Sequence, residues 1–299
     1  MTLIICRQIK EKIYIVSDSK VTDKNAVRNN PLTGNLKSLI LNPYLSLSFA
    51  GNIHYAEKIL ELFYSNKIAN LRQLVLECLK ANIESNNETD FIIASLENGN
   101  QIIIKISNKT AQQNQQNAWI GNQLAFNKFQ EYYHSTESDK KESSKINSAF
   151  KSVIKNEKIE DVADFCLSIE TVYQENIKKQ CFIYEMSADV SFRPGTITIS
   201  KDNQSQIIPF GGPEKGAFLA LYMRSFNLLK PAIAIHFPEG KFGVLFCPAI
   251  NLNKAEVIKE ANGEKFMDII YDKYGINLEG LVAEDGNRLT MKMNKKNLP

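Results

Sequence analysis

Thr2 directly follows Met1, and a small second residue is the kind after which an initiator methionine is normally removed, so Thr2 is expected to become the amino terminus. A threonine with a free α-amine carries a nucleophile and a base in one residue. Its hydroxyl alone is a poor nucleophile, but an α-amino group titrates at about 7.7 to 8.0, so a useful fraction is neutral near pH 7 and can accept the hydroxyl proton. Such chemistry needs three further parts. A lysine ammonium close by disfavours protonation of the amine, a carboxylate keeps that lysine charged and fixed, and backbone N–H groups must face the developing oxyanion.

Other residue types that could do chemistry are weaker. His236 and Cys247 lie on two apolar runs, Ala232 to Phe237 and Phe242 to Cys247, that read as a hairpin. Symmetric pairing sets Cys247 opposite Ala232, four residues from His236, or about 13 Å along the strand. Core packing is the expectation for both. His54 and Glu57 share a helix face, but no second histidine is near in sequence and no metal site is assigned. Gly211-Gly212-Pro213 reads as a structural turn opening a helix.

Composition narrows the class of protein. The 299 residues are 43% hydrophobic and 23% charged, enough for a sizeable core and against global disorder. A formal net charge of +3 is too small for the electrostatic footprint of a nucleic-acid binder. Cys6, Cys78, Cys166, Cys181 and Cys247 are scattered and odd in number, which suits buried free thiols. The first residues lack the pattern of a secretory signal, and no run of about 18 apolar residues exists for a membrane span. A cytoplasmic chain without a membrane partner is expected.

The elements that must position Thr2 are legible as patterns. Leu3 to Cys6 and Ile13 to Val16 are consecutive apolar runs, as in strands covered on both faces, with residues 7–12 as the turn between them. Leu45 to Ala50 alternates with period two before Gly51. Helical spacing then sets in at Ala56, Ile59, Leu60 and Phe63, and again at Leu71, Leu74, Val75, Cys78 and Leu79. Phe91 to Ala94 and Ile102 to Ile106 flank Glu97-Asn98-Gly99-Asn100, a hairpin signal. Ala118 to Gly121 is read as a strand, Leu124 to Tyr133 as a helix and His134 to Ser144 as a solvated linker. The spacing of Val162, Phe165, Cys166, Ile169 and Tyr173 predicts a helix, followed by strands at Cys181–Met186 and Thr196–Ser200. Further helices are expected from Pro213 to Leu229 and from about Lys254 to Tyr274. Strands and helices that come in blocks, rather than alternating singly, favour a layered α+β fold over a doubly wound sheet.

In these patterns the chain resembles the proteasome β-subunit and its bacterial relatives among the N-terminal nucleophile hydrolases. Thr2 begins the first strand, and Ser17-Asp18-Ser19-Lys20-Val21-Thr22 closes the second like the family's acidic position followed by a substrate-binding threonine. Lys37 precedes Ser38-Leu39-Ile40-Leu41, where the family places its catalytic lysine, and Phe49-Ala50-Gly51 ends the next strand, where it places its glycine. The resemblance implies Thr2 as nucleophile and base, Lys37 as the amine-tuning cation, Asp18 as its anchor and Gly51 as a source of an oxyanion-hole N–H. Thr22 would hold substrate backbone, and Phe49 and Ile53 would line an apolar pocket beside the nucleophile. Taken singly, Lys37 reads as a surface lysine, Asp18 as a turn former and the two apolar residues as core.

The chain departs from the family in an Asn-rich loop, Asp23 to Asn35, that is slightly longer. Gly121-Asn122-Gln123 stands where the family has a glycine-flanked serine, making Asn122 the candidate substitute. The family's later Asp and Ser have no counterpart near Gln174 to Cys181.

The resemblance implies a four-layer αββα sandwich over residues 1–205, with 206–299 as a C-terminal α/β extension packed on it. It implies a threonine-type hydrolase that cleaves peptide amide bonds through an acyl-Thr2 intermediate, without cofactor or metal. A self-compartmentalising homo-oligomer, a peptide or protein substrate and an unfoldase partner are further expectations. Two other readings stay open: a catalytically silent structural subunit and a small-molecule amidase.

Overall fold

The computed structural model describes residues 2–19, 35–96, 100–113, 116–136, 141–157, 159, 162, 166–189, 195–201, 204–210, 219–284 and 288–294. The described residues of Met1–Thr22 and Leu36–Ile183 form one compact unit, and those of Asp23–Asn35 and Tyr184–Pro299 a second.

In the first unit, β1 (Leu3–Ile9) and β2 (Lys12–Ser17) form an antiparallel hairpin with Ile9 opposite Lys12. The polar segment expected as a six-residue turn is therefore strand except at Lys10 and Glu11, where Lys10 takes a φ of 54°. Both strands are apolar at consecutive positions because both faces are covered. Leu3, Ile5, Tyr14 and Val16 pack in one core with helix residues, while Ile4, Cys6, Ile13 and Ile15 are buried on the opposite face.

β3 (Ser38–Asn42) and β4 (Leu45–Gly51) follow as a second antiparallel pair. Next come α1 (Ile53–Tyr64) and α2 (Leu71–Glu84), capped by Asn52 and Asn70, whose side chains accept from the amides of His54 and Gln73. Their buried residues include Ala56, Ile59 and Leu60 in α1 and Leu74 and Cys78 in α2, as the helical spacing predicts. β5 (Thr89–Ser95), β6 (Ile102–Ser107) and β7 (Thr110–Gln112) extend this sheet in the order β3-β4-β5-β6-β7. The expected hairpin pairs Phe91 with Ile106 and Ser95 with Ile102, and its turn residues 97–99 lie outside the described residues.

β8 (Asn117–Gly121) pairs with β1 and leads into α3 (Gln123–Ser135) and α4 (Glu142–Asn156). The two ends of the segment expected as a linker, His134–Ser135 and Glu142–Ser144, are thus helix, and residues 137–140 lie outside the described residues. Its polar residues start an amphipathic α4 that buries Ile146, Ala149, Phe150 and Val153. β9 (Leu167–Gln174) and β10 (Lys179–Tyr184) close the unit, and the first sheet runs β10-β9-β2-β1-β8. The helix predicted from Val162 to Tyr173 is corrected here: Leu167, Ile169 and Thr171 are buried with period two, and β9 pairs with β2. α3 and α4 lie together, and α4 lies against β2; α1 and α2 lie against β4, β5 and β6. Strands of the two sheets also approach one another, β1 and β8 near β4 and β2 near β3.

The second unit contains β11 (Ala188–Asp189), β12 (Gly195–Lys201), β13 (Gln204–Phe210), β14 (Ala220–Ser225), β15 (Ile233–Phe237), β16 (Phe242–Phe246), α5 (Pro248–Asn251), β17 (Glu256–Ile258), α6 (Gly263–Tyr274), β18 (Leu278–Ala283) and β19 (Leu289–Met293). One sheet runs β17-β16-β15-β14-β18-β19 with β11 on β14, and β12 pairs with β13. The late hairpin forms as expected, with Ile233 opposite Phe246. Two expected helices are corrected. Residues 211–218 lie outside the described residues, and the rest of that span holds β14, buried along most of its length as a central strand. The helix expected from Lys254 begins only at Gly263, because Asn262 caps it and residues 256–258 pair with β16 instead. Among the described residues there are six helices, and the strand pairings of known register are antiparallel, so the chain is a mixed α+β protein and not doubly wound.

Candidate active site

Two sequence-predicted residues, Asp18 and Lys37, meet beside the first residue of β1. The carboxylate of Asp18, just past β2, accepts the Leu3 N–H on Oδ1 at 3.0 Å and Lys37 Nζ on Oδ2 at 3.1 Å. Asp18 therefore ties the peptide unit that leaves Thr2 to the ammonium of a lysine 19 residues away in sequence. The pair is deeply buried, with side-chain exposures of 7% for Lys37 and 0% for Asp18. Charges in such a setting are held against solvation, and removing one leaves the other uncompensated. The surface-lysine reading of Lys37 does not hold, and the backbone N–H that Asp18 accepts comes from Leu3, 15 residues away in sequence, and not from a local turn.

Thr2 sits between two strands. Its carbonyl accepts the Asn122 N–H at 2.6 Å, and its neighbour Leu3 pairs with Gly121. Gly121 has a φ of 105°, and a Cβ built there would lie 1.9 Å from the Thr2 carbonyl oxygen, so only glycine permits this approach. Asn122 meanwhile caps α3, its Oδ1 accepting from Ala125 N–H at 3.0 Å. Thr2 itself is 1% exposed, and its Oγ1 is buried without a hydrogen-bond partner among the described residues.

Lys37 is registered against the second sheet through its own backbone, because its carbonyl accepts the Phe49 N–H at 2.9 Å. Gly51 stands two residues beyond Phe49, about 7 Å along the strand. It has a φ of 113°, and a Cβ there would lie 1.7 Å from Glu88 O. Phe49 is buried opposite Phe91 in β4, and Ile53 is partly exposed as the first residue of α1. Thr22 lies outside the described residues. His236 and Cys247 do not come together: His236 is opposite Gly243, and the register places Cys247 beyond the Ile233–Phe246 pair. Among the described residues no cluster of three or more His, Cys, Asp or Glu side chains could hold a metal ion, and no helix is long and apolar enough to cross a membrane.

Two residues were not singled out from sequence. Ser17 and Ser19 flank Asp18, are fully buried, and carry hydroxyls with no partner among the described residues. The only signal was a Ser-Asp-Ser run at the end of a strand buried on both faces, where hydroxyls have no solvent to bind.

No protein-family model matches the chain. No curated protein matches it either. Among solved structures, the crystal structure of eukaryotic HslV from Trypanosoma brucei is similar at a TM-score of 0.37 and 16% identity, over 51% of this chain and 90% of that one.

Proposed function

We propose that this protein is a threonine-type hydrolase of the N-terminal nucleophile kind, cleaving amide bonds through an acyl-Thr2 intermediate. The observation that carries the reading is the Asp18 carboxylate shared between the Leu3 N–H and Lys37 Nζ, which brings a buried ammonium to the residue that follows Thr2. The chain as it stands has Thr2 acylated by Met1, so its nitrogen is an amide and no base. Loss of Met1 supplies the amine. Thr2 Oγ1 then attacks the substrate carbonyl and its proton passes to the α-amine. The tetrahedral oxyanion takes N–H donors, for which Gly51 is the candidate, and the α-ammonium returns the proton to the leaving amine. Water, deprotonated by the same amine, releases the acid and restores Thr2.

Peptide is the proposed substrate class, with Thr22 holding its backbone and Phe49 and Ile53 lining an apolar pocket. The αββα arrangement of the first unit, a cytoplasmic setting and a homo-oligomer served by an unfoldase belong to the same proposal. The exposed apolar residues Leu76 and Ile83 on α2 and Leu124 on α3 are compatible with subunit contacts. The test is turnover of a fluorogenic peptide library by the native chain, Thr2→Ala and Lys37→Ala. Activity lost in both variants supports the reading, and activity retained by Thr2→Ala removes it.

One observation favours a second reading, a catalytically silent structural subunit: Thr2 is 1% exposed. A chain that keeps Met1 when fully folded, and turns over neither peptides nor small amides, is that subunit.

A further inference from the structure

We infer that Ser19 is a positioning residue for Thr2, its hydroxyl hydrogen-bonding Thr2 Oγ1 once Met1 is gone; the inference rests on the hydrolase reading. The register of the first hairpin places Ile4 opposite Ser17. Asp18 N–H then donates to Leu3 O at 3.4 Å, carrying the pairing one residue further, so that Ser19 comes opposite Thr2. Directly opposed residues on antiparallel strands project to the same face with Cβ atoms about 4.5–5.5 Å apart. Leu3 and Asp18 keep one of the two bonds of a hydrogen-bonded pair, the Leu3 N–H going to the Asp18 carboxylate in place of its carbonyl, and continuing the register one step past them puts Thr2 and Ser19 at the closer, non-hydrogen-bonded spacing. This face is the one bearing Ile4, Cys6, Ile13 and Ile15, opposite to that covered by α3 and α4.

The backbone of Thr2 is turned the other way, because its carbonyl is bonded by Asn122 just past β8. Ser19 therefore stands beside the Thr2 side chain and not beside its nitrogen. Both hydroxyls are buried and neither has a hydrogen-bond partner among the described residues. Buried hydroxyls are seldom left so, and a pair of them side by side next to a buried ion pair is a contact waiting for one rotamer change. Threonine is β-branched, with few χ1 wells, so a single hydrogen bond can choose among them. With Ser19 donating to Oγ1, the Oγ1 proton is left for the α-amine and a lone pair for the incoming carbonyl.

Ser17 provides the control. Its hydroxyl is also buried and unpartnered, but it lies opposite Ile4, two residues further along the strand. The experiment is the rate of covalent labelling by an epoxyketone probe of full-length chain lacking Met1, in wild type, Ser19→Ala and Ser17→Ala, with thermal melts of each. The expected result is a maximal labelling rate about tenfold lower in Ser19→Ala at unchanged half-saturating probe concentration, with Ser17→Ala at the wild-type rate. Ser17→Ala should melt no lower than wild type, since it deletes an unpaired buried hydroxyl, and Ser19→Ala should melt only about 2–4 °C lower, since it removes a single hydrogen bond. A Ser19→Ala chain that labels as fast as wild type, or melts well below it, overturns the Ser19 assignment alone. A wild-type chain without Met1 that does not label overturns the hydrolase reading itself.

Discussion

Lys37 Nζ lies 3.1 Å from Asp18 Oδ2, while Oδ1 of the same carboxylate holds the first amide of β1 at 3.0 Å. One side chain thereby joins the ends of β1 and β2 to the start of the second sheet, and the stability of that junction rests on a buried charge pair.

Asp18→Asn should destabilise the first unit by about 3–5 kcal/mol, because it leaves a buried ammonium without its counter-charge. Asp18→Asn combined with Lys37→Met should recover part of that loss, since no unpaired charge then remains. Trp119, the chain's single tryptophan, stacks on Phe126 with ring centroids 4.1 Å apart and reports this unit in urea titrations followed by fluorescence. Equal stability of wild type and Asp18→Asn would show that the pair is not buried in solution.

Gly121→Ala should be worse than an ordinary glycine substitution. Its Cβ would meet the Thr2 carbonyl oxygen at 1.9 Å, and the φ of 105° adds strain of about 1–3 kcal/mol. The same urea titration should show a lower midpoint, and the variant should lose probe labelling because Thr2 is displaced. Wild-type midpoint and labelling in Gly121→Ala would contradict a glycine-only approach to Thr2.

How much of this was legible in the sequence depended on whether local pattern and tertiary burial agreed. β1 and β2 announced themselves as apolar runs, and the buried faces Leu3/Ile5 and Ile4/Cys6 explain why no alternation was visible. Asp18 and Lys37 could be named only through the resemblance of their strand-end positions to a family pattern, and their contact needed the fold, since the loop between them carries no pattern. α4 was hidden by its own polar composition, although Ile146, Ala149, Phe150 and Val153 keep helical spacing. β9 failed in the opposite way, because Cys166, Ile169 and Tyr173 fit a helix as well as Leu167, Ile169 and Thr171 fit a strand, and pairing with β2 decided it. Ser19 was unreadable because its significance is a missing partner.

The second unit should lose stability on mild acidification. His236 is buried against Phe266, with Nε2 on Glu260 O and Nδ1 unpartnered among the described residues, and burial lowers its pKa from the ordinary 6.5. Below about pH 6.5 the unfolded imidazole takes up a proton that the folded one resists, so unfolding becomes easier as the pH falls from there toward the folded pKa. Above that pH the group has no effect. The difference in melting temperature between pH 7.5 and pH 5.5 should be smaller in His236→Phe than in wild type, and an equal difference would contradict the assignment.

All five cysteines should be silent toward a thiol reagent in the folded chain. Each is a buried free thiol, burial raises the Cys6 and Cys78 thiols far above their usual range, and Cys247 is pushed up to about 11. Ellman's reagent should find essentially none in native protein and five in denaturant. Rapid labelling of a native thiol would show a core less closed than described.

The most direct test of the central claim is intact-mass analysis of the native chain before and after an epoxyketone probe, with the adduct mapped to its residue. The account predicts a chain lacking Met1 that gains one probe mass on Thr2, with no gain in Thr2→Ala. A folded chain that retains Met1, or an unlabelled chain with Thr2 at its terminus, would contradict it.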